Sequence, residues 1–122
     1  MDDAELAQRT KAFALRILKV VASLPKSREA DILAKQLLRA GTSVGANYRE
    51  ARRGRSRADF AAKIGICVHE ADESLYWLEL LAESKMVRAE LLWDLQREAS
   101  QLIAIFAASA KTVRPRSDVG KT

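Results

Sequence analysis

The 122 residues hold one cysteine, Cys67, one histidine, His69, and two prolines, Pro25 and Pro115. A single thiol excludes an intrachain disulfide and a cysteine-rich zinc site, and it suits a reducing compartment. A single histidine nearly excludes a di-iron bundle, because such centres take a Glu-x-x-His pair from each of two helices. No apolar run approaches the roughly 18 residues that span a membrane. The start, Met1-Asp2-Asp3-Ala4-Glu5, is acidic where a signal peptide is basic. A cytoplasmic protein with no membrane partner is expected.

Apolar residues make up 48% of the chain, and charged residues, 30%, are mixed among them. That mixture argues for a folded domain, and a chain of this length fits one. Lysine and arginine number 21 against 16 acidic residues, for a net charge of +5, so the surface potential favours polyanions or an acidic partner.

Between the two prolines nothing of that kind interrupts helix formation, and apolar residues recur at helical spacing. Over about 4–24, Leu6, Phe13, Ile17, Val20, Val21 and Leu24 share one face, and Pro25 ends the helix. Ser27 is a natural N-cap for a second helix over about 27–53, with Leu33, Leu37, Ala40, Val44 and Ala51 inward and Gly54 as its stop. Ser56-Arg57-Ala58-Asp59 has the form of a capping box with Asp in place of Glu. It predicts a third helix over about 57–84 with Phe60, Ile64, Cys67, Ala71, Leu75, Leu78 and Ala82 inward. A fourth, over about 88–113, carries Leu92, Leu95, Ala99, Leu102, Phe106 and Val113, and Arg114-Pro115 closes it. Short links make neighbouring helices antiparallel. The expected fold is all-α, an antiparallel up-down four-helix bundle over 1–115 with a mobile polar tail over 116–122.

Two helices carry more apolar surface than one core requires. Beside the stripe of the second lie Ala34, Leu38, Gly41, Gly45 and Tyr48, and off the stripe of the third lie Ile66, Trp77, Leu80 and Leu81. Glycine costs roughly 1 kcal/mol against alanine inside a helix, so Gly41 and Gly45 on one face imply that another backbone passes close by. Leu38, Gly41, Gly45, Tyr48, Ile66, Trp77, Leu80 and Leu81 are therefore the expected interface of a homo-oligomer. The competing reading is that these strips widen contacts within a single bundle.

Opposite the core of the second helix, roughly 100° per residue aligns Arg28, Lys35, Arg39, Arg49 and Arg53, and the stripe merges with Arg52, Arg55 and Arg57 in the following turn. Arginine's planar fork suits phosphate, so these eight residues are the expected nucleic-acid contacts, to RNA or DNA. No aromatic residue interleaves them, so base stacking is not indicated. The alternative is a scaffold whose arginines pair with acidic surfaces, those of a partner protein or of Glu70, Asp72, Glu73 and Glu79.

Nothing in the chain demands catalysis. Cys67 lies on the core face and His69 roughly opposite, so they do not pair as nucleophile and base. Gly41-Thr42-Ser43-Val44-Gly45 lies within a helix rather than after a strand, and is no phosphate loop. Asn47, with Gln36 and Ser43 at the edge of the core stripe, either fixes register or lines a small site. No enzyme, cofactor or metal is expected.

The run from Gln36 to Ala51, QLLRAGTSVGANYREA, followed by Ala71 to Leu81, ADESLYWLELL, resembles the four-helix bundle proteins encoded by intervening sequences in some bacterial large-subunit ribosomal RNA genes. The likeness extends from about Phe13 to Phe106, and relatives include accessory proteins of diversity-generating retroelements. The resemblance implies a ring-like homopentamer with a basic surface toward RNA or DNA, and a reverse transcriptase as partner in the retroelement branch. It also implies fold and assembly roles for Arg39, Ser43, Asn47, Glu50, Ser74, Leu78 and Glu79, and it supplies no catalytic residue.

Overall fold

The structure, a computed structural model, describes residues 1–111 in full. Four helices follow one another: α1 (Asp3–Ser23), α2 (Arg28–Arg52), α3 (Arg57–Glu83) and α4 (Trp93–Lys121), with a 3-10 turn (Ala89–Leu91) before the last. The all-α four-helix bundle expected from the sequence is the one observed. α4 runs past Arg114-Pro115, where its end was expected, and into the expected tail over 116–122, to Lys121, while Thr122 and the side chains of 112–121, Val113 among them, lie outside the described residues.

Local chemistry sets the helix starts. Asp2, Ser27 and Ser56 each accept a hydrogen bond from the backbone N–H three residues on, at 2.8, 3.1 and 3.0 Å. Each removes one of the orphan donors of a first turn. Leu24, before Pro25, is extended at φ −71° and ψ 149°, as a residue preceding proline prefers. The fourth helix begins later than its apolar period suggests. Lys85, at φ 65°, turns the chain after α3, and the 3-10 turn occupies 89–91 before α4 starts at Trp93.

Helices adjacent in sequence pack side by side, α1 also meets α4, and the backbones of the diagonal pairs α1–α3 and α2–α4 stay apart. Phe13, Ile17, Leu37, Val44, Ile64, Cys67, Leu78, Leu102 and Phe106 are fully buried between them. Removing such a side chain from water contributes about 1.5–3 kcal/mol each. The seam between α1 and α4 is the sparsest of the four, and Arg9 bridges it, donating to Glu98 at 2.7 and 2.8 Å and to Gln101 at 2.5 Å.

Three of the eight residues of the proposed oligomer interface, Gly41, Tyr48 and Leu81, are buried within one bundle, and Gly45 is half-buried. A Cβ on Gly41 would sit 2.7 Å from Ile17 Cγ1, and one on Gly45 would sit 3.2 Å from Thr10 Oγ1. The backbone that passes close to these glycines is thus α1 of the same chain, not a second subunit. Tyr48 and Leu81 are buried in the core as well. Tyr48 reaches across the diagonal to Phe106, with ring centroids 5.6 Å apart, and its hydroxyl donates to Asp3 at 3.2 Å. Leu38 and Trp77 are half-buried against the core, Leu80 is half-buried, and of the eight only Ile66 is exposed. Periodicity recognised the crowded backbone and missed which helix crowds it, because a helix in a four-helix bundle spends two flanks, not one, on its neighbours.

Candidate nucleic-acid interface

α2 ends at Arg52, and the chain crosses to α3 through Arg53, Gly54, Arg55 and Ser56. Gly54 N–H donates to Ala51 O at 3.0 Å. A Cβ on Gly54 would stand 2.8 Å from Asp59 Oδ2 and 3.0 Å from that same carbonyl, so a side chain there would crowd the turn and push the Asp59 carboxylate aside. Arg49, Arg52, Arg53, Arg55 and Arg57 are thereby gathered at one end of the bundle. All are exposed, and none forms an ion pair among the described residues. Arg52 stands 6.0 Å from the centre of the Tyr48 ring, which orients its stem and leaves the charge accessible. The neighbouring carboxylate Glu50 is turned to Lys63 at 3.0 Å. Arg28 and Lys35 lie along the outward side of α2, also exposed and unpaired among the described residues.

Arg39 leaves this set. Its guanidinium holds Glu73 at 2.5 Å and Glu70 at 3.3 Å, with Gln36 at 3.5 Å, so its charge ties α2 to α3 rather than facing a phosphate. This is the pairing with helix-three carboxylates that the competing reading anticipated, at one of the eight basic residues. The hydrogen bond and charge of Arg39 hold the Glu73 carboxyl below its ordinary value. A carboxyl depressed on folding contributes stability that is present above its unfolded pKa and is lost as pH falls through the folded one. Arg39→Met is expected to remove that acid-dependent component. Urea unfolding at pH 7 and at pH 3 should show a smaller acid loss for the variant, by no more than about 1 kcal/mol given the half-exposed guanidinium. Equal acid losses in both proteins would show that the pair is energetically silent.

The remaining polar candidates are satisfied locally. Asn47 Nδ2 donates to Ser43 O at 2.8 Å, Ser43 Oγ to Arg39 O at 2.6 Å, and Thr42 Oγ1 to Leu38 O at 2.7 Å. Cys67 Sγ donates to Val44 O at 3.5 Å, and burial pushes its pKa up to about 12, far from the thiolate that nucleophilic chemistry needs. His69 is exposed. Its ring nitrogen and the carboxylates of Glu70 and Glu73 lie within 4.8 Å of one another, a spacing compatible with a metal ion. Both carboxylates already hold Arg39, whose fixed positive charge opposes a cation there.

One feature escaped sequence reasoning. An open groove of about 800 Å³ runs between α1 and α2, floored by Ala4, Ala7, Ala14, Thr42, Gly45 and Ala46, with Lys11, Arg49 and Arg52 also lining it. The signal was present as alanines on outward helix positions where lysine or glutamate is usual. Leu15 and Leu18, further along α1, are also exposed, at 55% and 45%.

A family model described as 23S rRNA-intervening sequence protein matches residues 2–108. Among solved structures, the chain is similar to a protein of unknown function from the S23 ribosomal protein family of Bacteroides thetaiotaomicron VPI-5482. The identity is 34% and the TM-score 0.84, over 91% of this chain and 99% of that one. No curated protein matches.

Proposed function

Because the chain belongs to the 23S rRNA-intervening sequence protein family, we propose that it is a homo-oligomer, a pentamer in the reading the resemblance implies, that binds nucleic acid without catalysis. It would act in the cytoplasm, on RNA or DNA. The observation that carries this reading is the cluster Arg49, Arg52, Arg53, Arg55 and Arg57, exposed together on one end of the bundle and unpaired among the described residues. Charges of one sign held close repel each other, and a phosphate backbone relieves that repulsion while releasing its counterions. Arg28 and Lys35 extend the positive surface along α2.

Fluorescent single- and double-stranded RNA and DNA, titrated with the protein across a salt series, test the proposal. Binding should weaken steeply with salt, by a slope of about 0.9 per phosphate contacted on duplex DNA, and should depend little on sequence. Changing Arg49, Arg52, Arg53, Arg55 and Arg57 to serine should abolish it while leaving helicity intact. Absence of binding by the native protein at near-physiological salt would turn the arginines toward an acidic protein surface, such as that of a reverse transcriptase, and reduce the function to assembly.

A further inference from the structure

The arginine turn and the α1–α2 groove form one continuous surface, because Arg49 and Arg52 belong to both. The two helices are antiparallel, with Gly45 beside Thr10 and Gly41 beside Ile17, so the groove runs from the arginine end down the side of the bundle. Its α1 wall extends from Ala4 to Ala14, about 15 Å at the helical rise of about 1.5 Å per residue. Along that wall Lys11 is exposed and without an ion pair among the described residues. One carboxylate, Glu50, also lines the groove, and Lys63, which is not a lining residue, holds it at 3.0 Å. Lys11, Arg49 and Arg52 therefore set the sign of the groove, and that sign is positive.

Depth decides which polyanion can use it. Ala7, Gly45 and Ala46 leave the space between the helices unfilled, at about 800 Å³. A duplex has a persistence length of about 50 nm and keeps its bases paired inside. Over the length of this groove it is a straight rod, which can rest on the exposed arginines and bridges the mouth of a concave surface. A single strand bends freely, and a positively charged groove is the usual means of tracking its backbone.

We infer that the α1–α2 groove takes a single-stranded segment of nucleic acid, led into it from the arginine turn, with Lys11 as a phosphate contact additional to the basic residues of α2 and the turn. The inference rests on the nucleic-acid reading and specifies the strand state that the protein selects. No aromatic side chain lines the groove, so the bases find no stacking platform there and the preference is for an unpaired strand rather than for a sequence. Arg53, Arg55 and Arg57 are not part of the lining, and they meet the phosphates of single and double strands alike.

End-labelled oligouridylate, alone or annealed to oligoadenylate, tests this by fluorescence anisotropy with the full chain across a salt series. The native protein should bind the single strand about tenfold more tightly than the duplex, the scale of one nucleotide's contact. Ala46→Leu and, separately, Ala7→Leu fill the groove without changing any charge, and each should remove that preference while duplex affinity stays as it was. Lys11→Gln should lower the single-strand salt slope by about 0.7, the share of one phosphate, and leave the duplex slope unchanged. Far-UV circular dichroism establishes that each variant keeps its helices. Equal binding of both forms by the native protein, filled variants that keep the preference, or losses shared by the duplex would overturn the groove assignment. Nucleic-acid binding would then rest on the arginine turn alone, with the groove left to a helix of a protein partner. A native protein that binds neither form would overturn the nucleic-acid reading and this inference with it.

Discussion

Phe106→Ala is expected to destabilise the bundle by about 3–5 kcal/mol, the range for truncating a fully buried phenylalanine. Phe106 has no exposed surface, and its ring lies against Tyr48 of α2 across the diagonal. Through the Tyr48 hydroxyl the same contact extends to Asp3 at the start of α1. Loss of the ring thus opens a cavity where three helices meet. Whole-domain stabilities are about 5–15 kcal/mol, so one substitution removes a large share. Denaturant unfolding at fixed protein concentration measures it, and the concentration is held because the proposed assembly would add stability by mass action. Tyr48→Phe keeps the ring contact and removes only the hydrogen bond, so its loss should be about 1 kcal/mol. A loss below about 1 kcal/mol for Phe106→Ala would show that the ring does not fill this junction.

Gly41→Ala is expected to destabilise by about 1–3 kcal/mol, the usual range for forcing atoms into a filled core. Helix propensity alone would make alanine better here by roughly 1 kcal/mol. Packing wins because the added Cβ would lie 2.7 Å from Ile17 Cγ1 and 3.0 Å from its Cγ2, and Ile17 is itself wholly buried. Gly65→Ala, where the new methyl group meets nothing in the same chain, should stabilise the isolated bundle by up to about 1 kcal/mol. Thermal unfolding of both variants decides the matter through the sign of each shift. A stabilising Gly41→Ala would mean that α1 and α2 lie further apart than described.

Apolar period and capping chemistry were enough to read the bundle from the sequence. Ser27 and Ser56 act as the caps their positions suggest, Pro25 separates α1 from α2, and most residues of the core stripes from Leu6 to Phe106 are buried, with Val20, Val21, Leu24, Leu33, Phe60, Leu75 and Ala82 half-buried against them. Where α4 begins was not legible. Leu92 fits its period, but the 3-10 turn that precedes the helix depends on how the chain reverses at Lys85. The arginine cluster after α2 was legible because local sequence places it in one turn. The partners of Arg39 needed the register of α2 against α3, and the role of Gly41 and Gly45 needed to know that α1 lies over them. Contacts of this kind join residues distant in sequence, and a periodicity says which side a residue faces without saying what it meets.

The position of Cys67 has a practical consequence for labelling chemistry. Alkylating and disulfide-forming reagents consume thiolate. Here the thiol has no exposed surface, donates to Val44 O, and has its pKa pushed up to about 12. In the closed bundle it is therefore spectroscopically and chemically silent. A cysteine introduced anywhere on the surface becomes the one reactive thiol of the native chain, and dyes or spin labels attach there without prior removal of the natural residue. The converse also holds: whatever modification Cys67 itself acquires is acquired only while the helices stand apart.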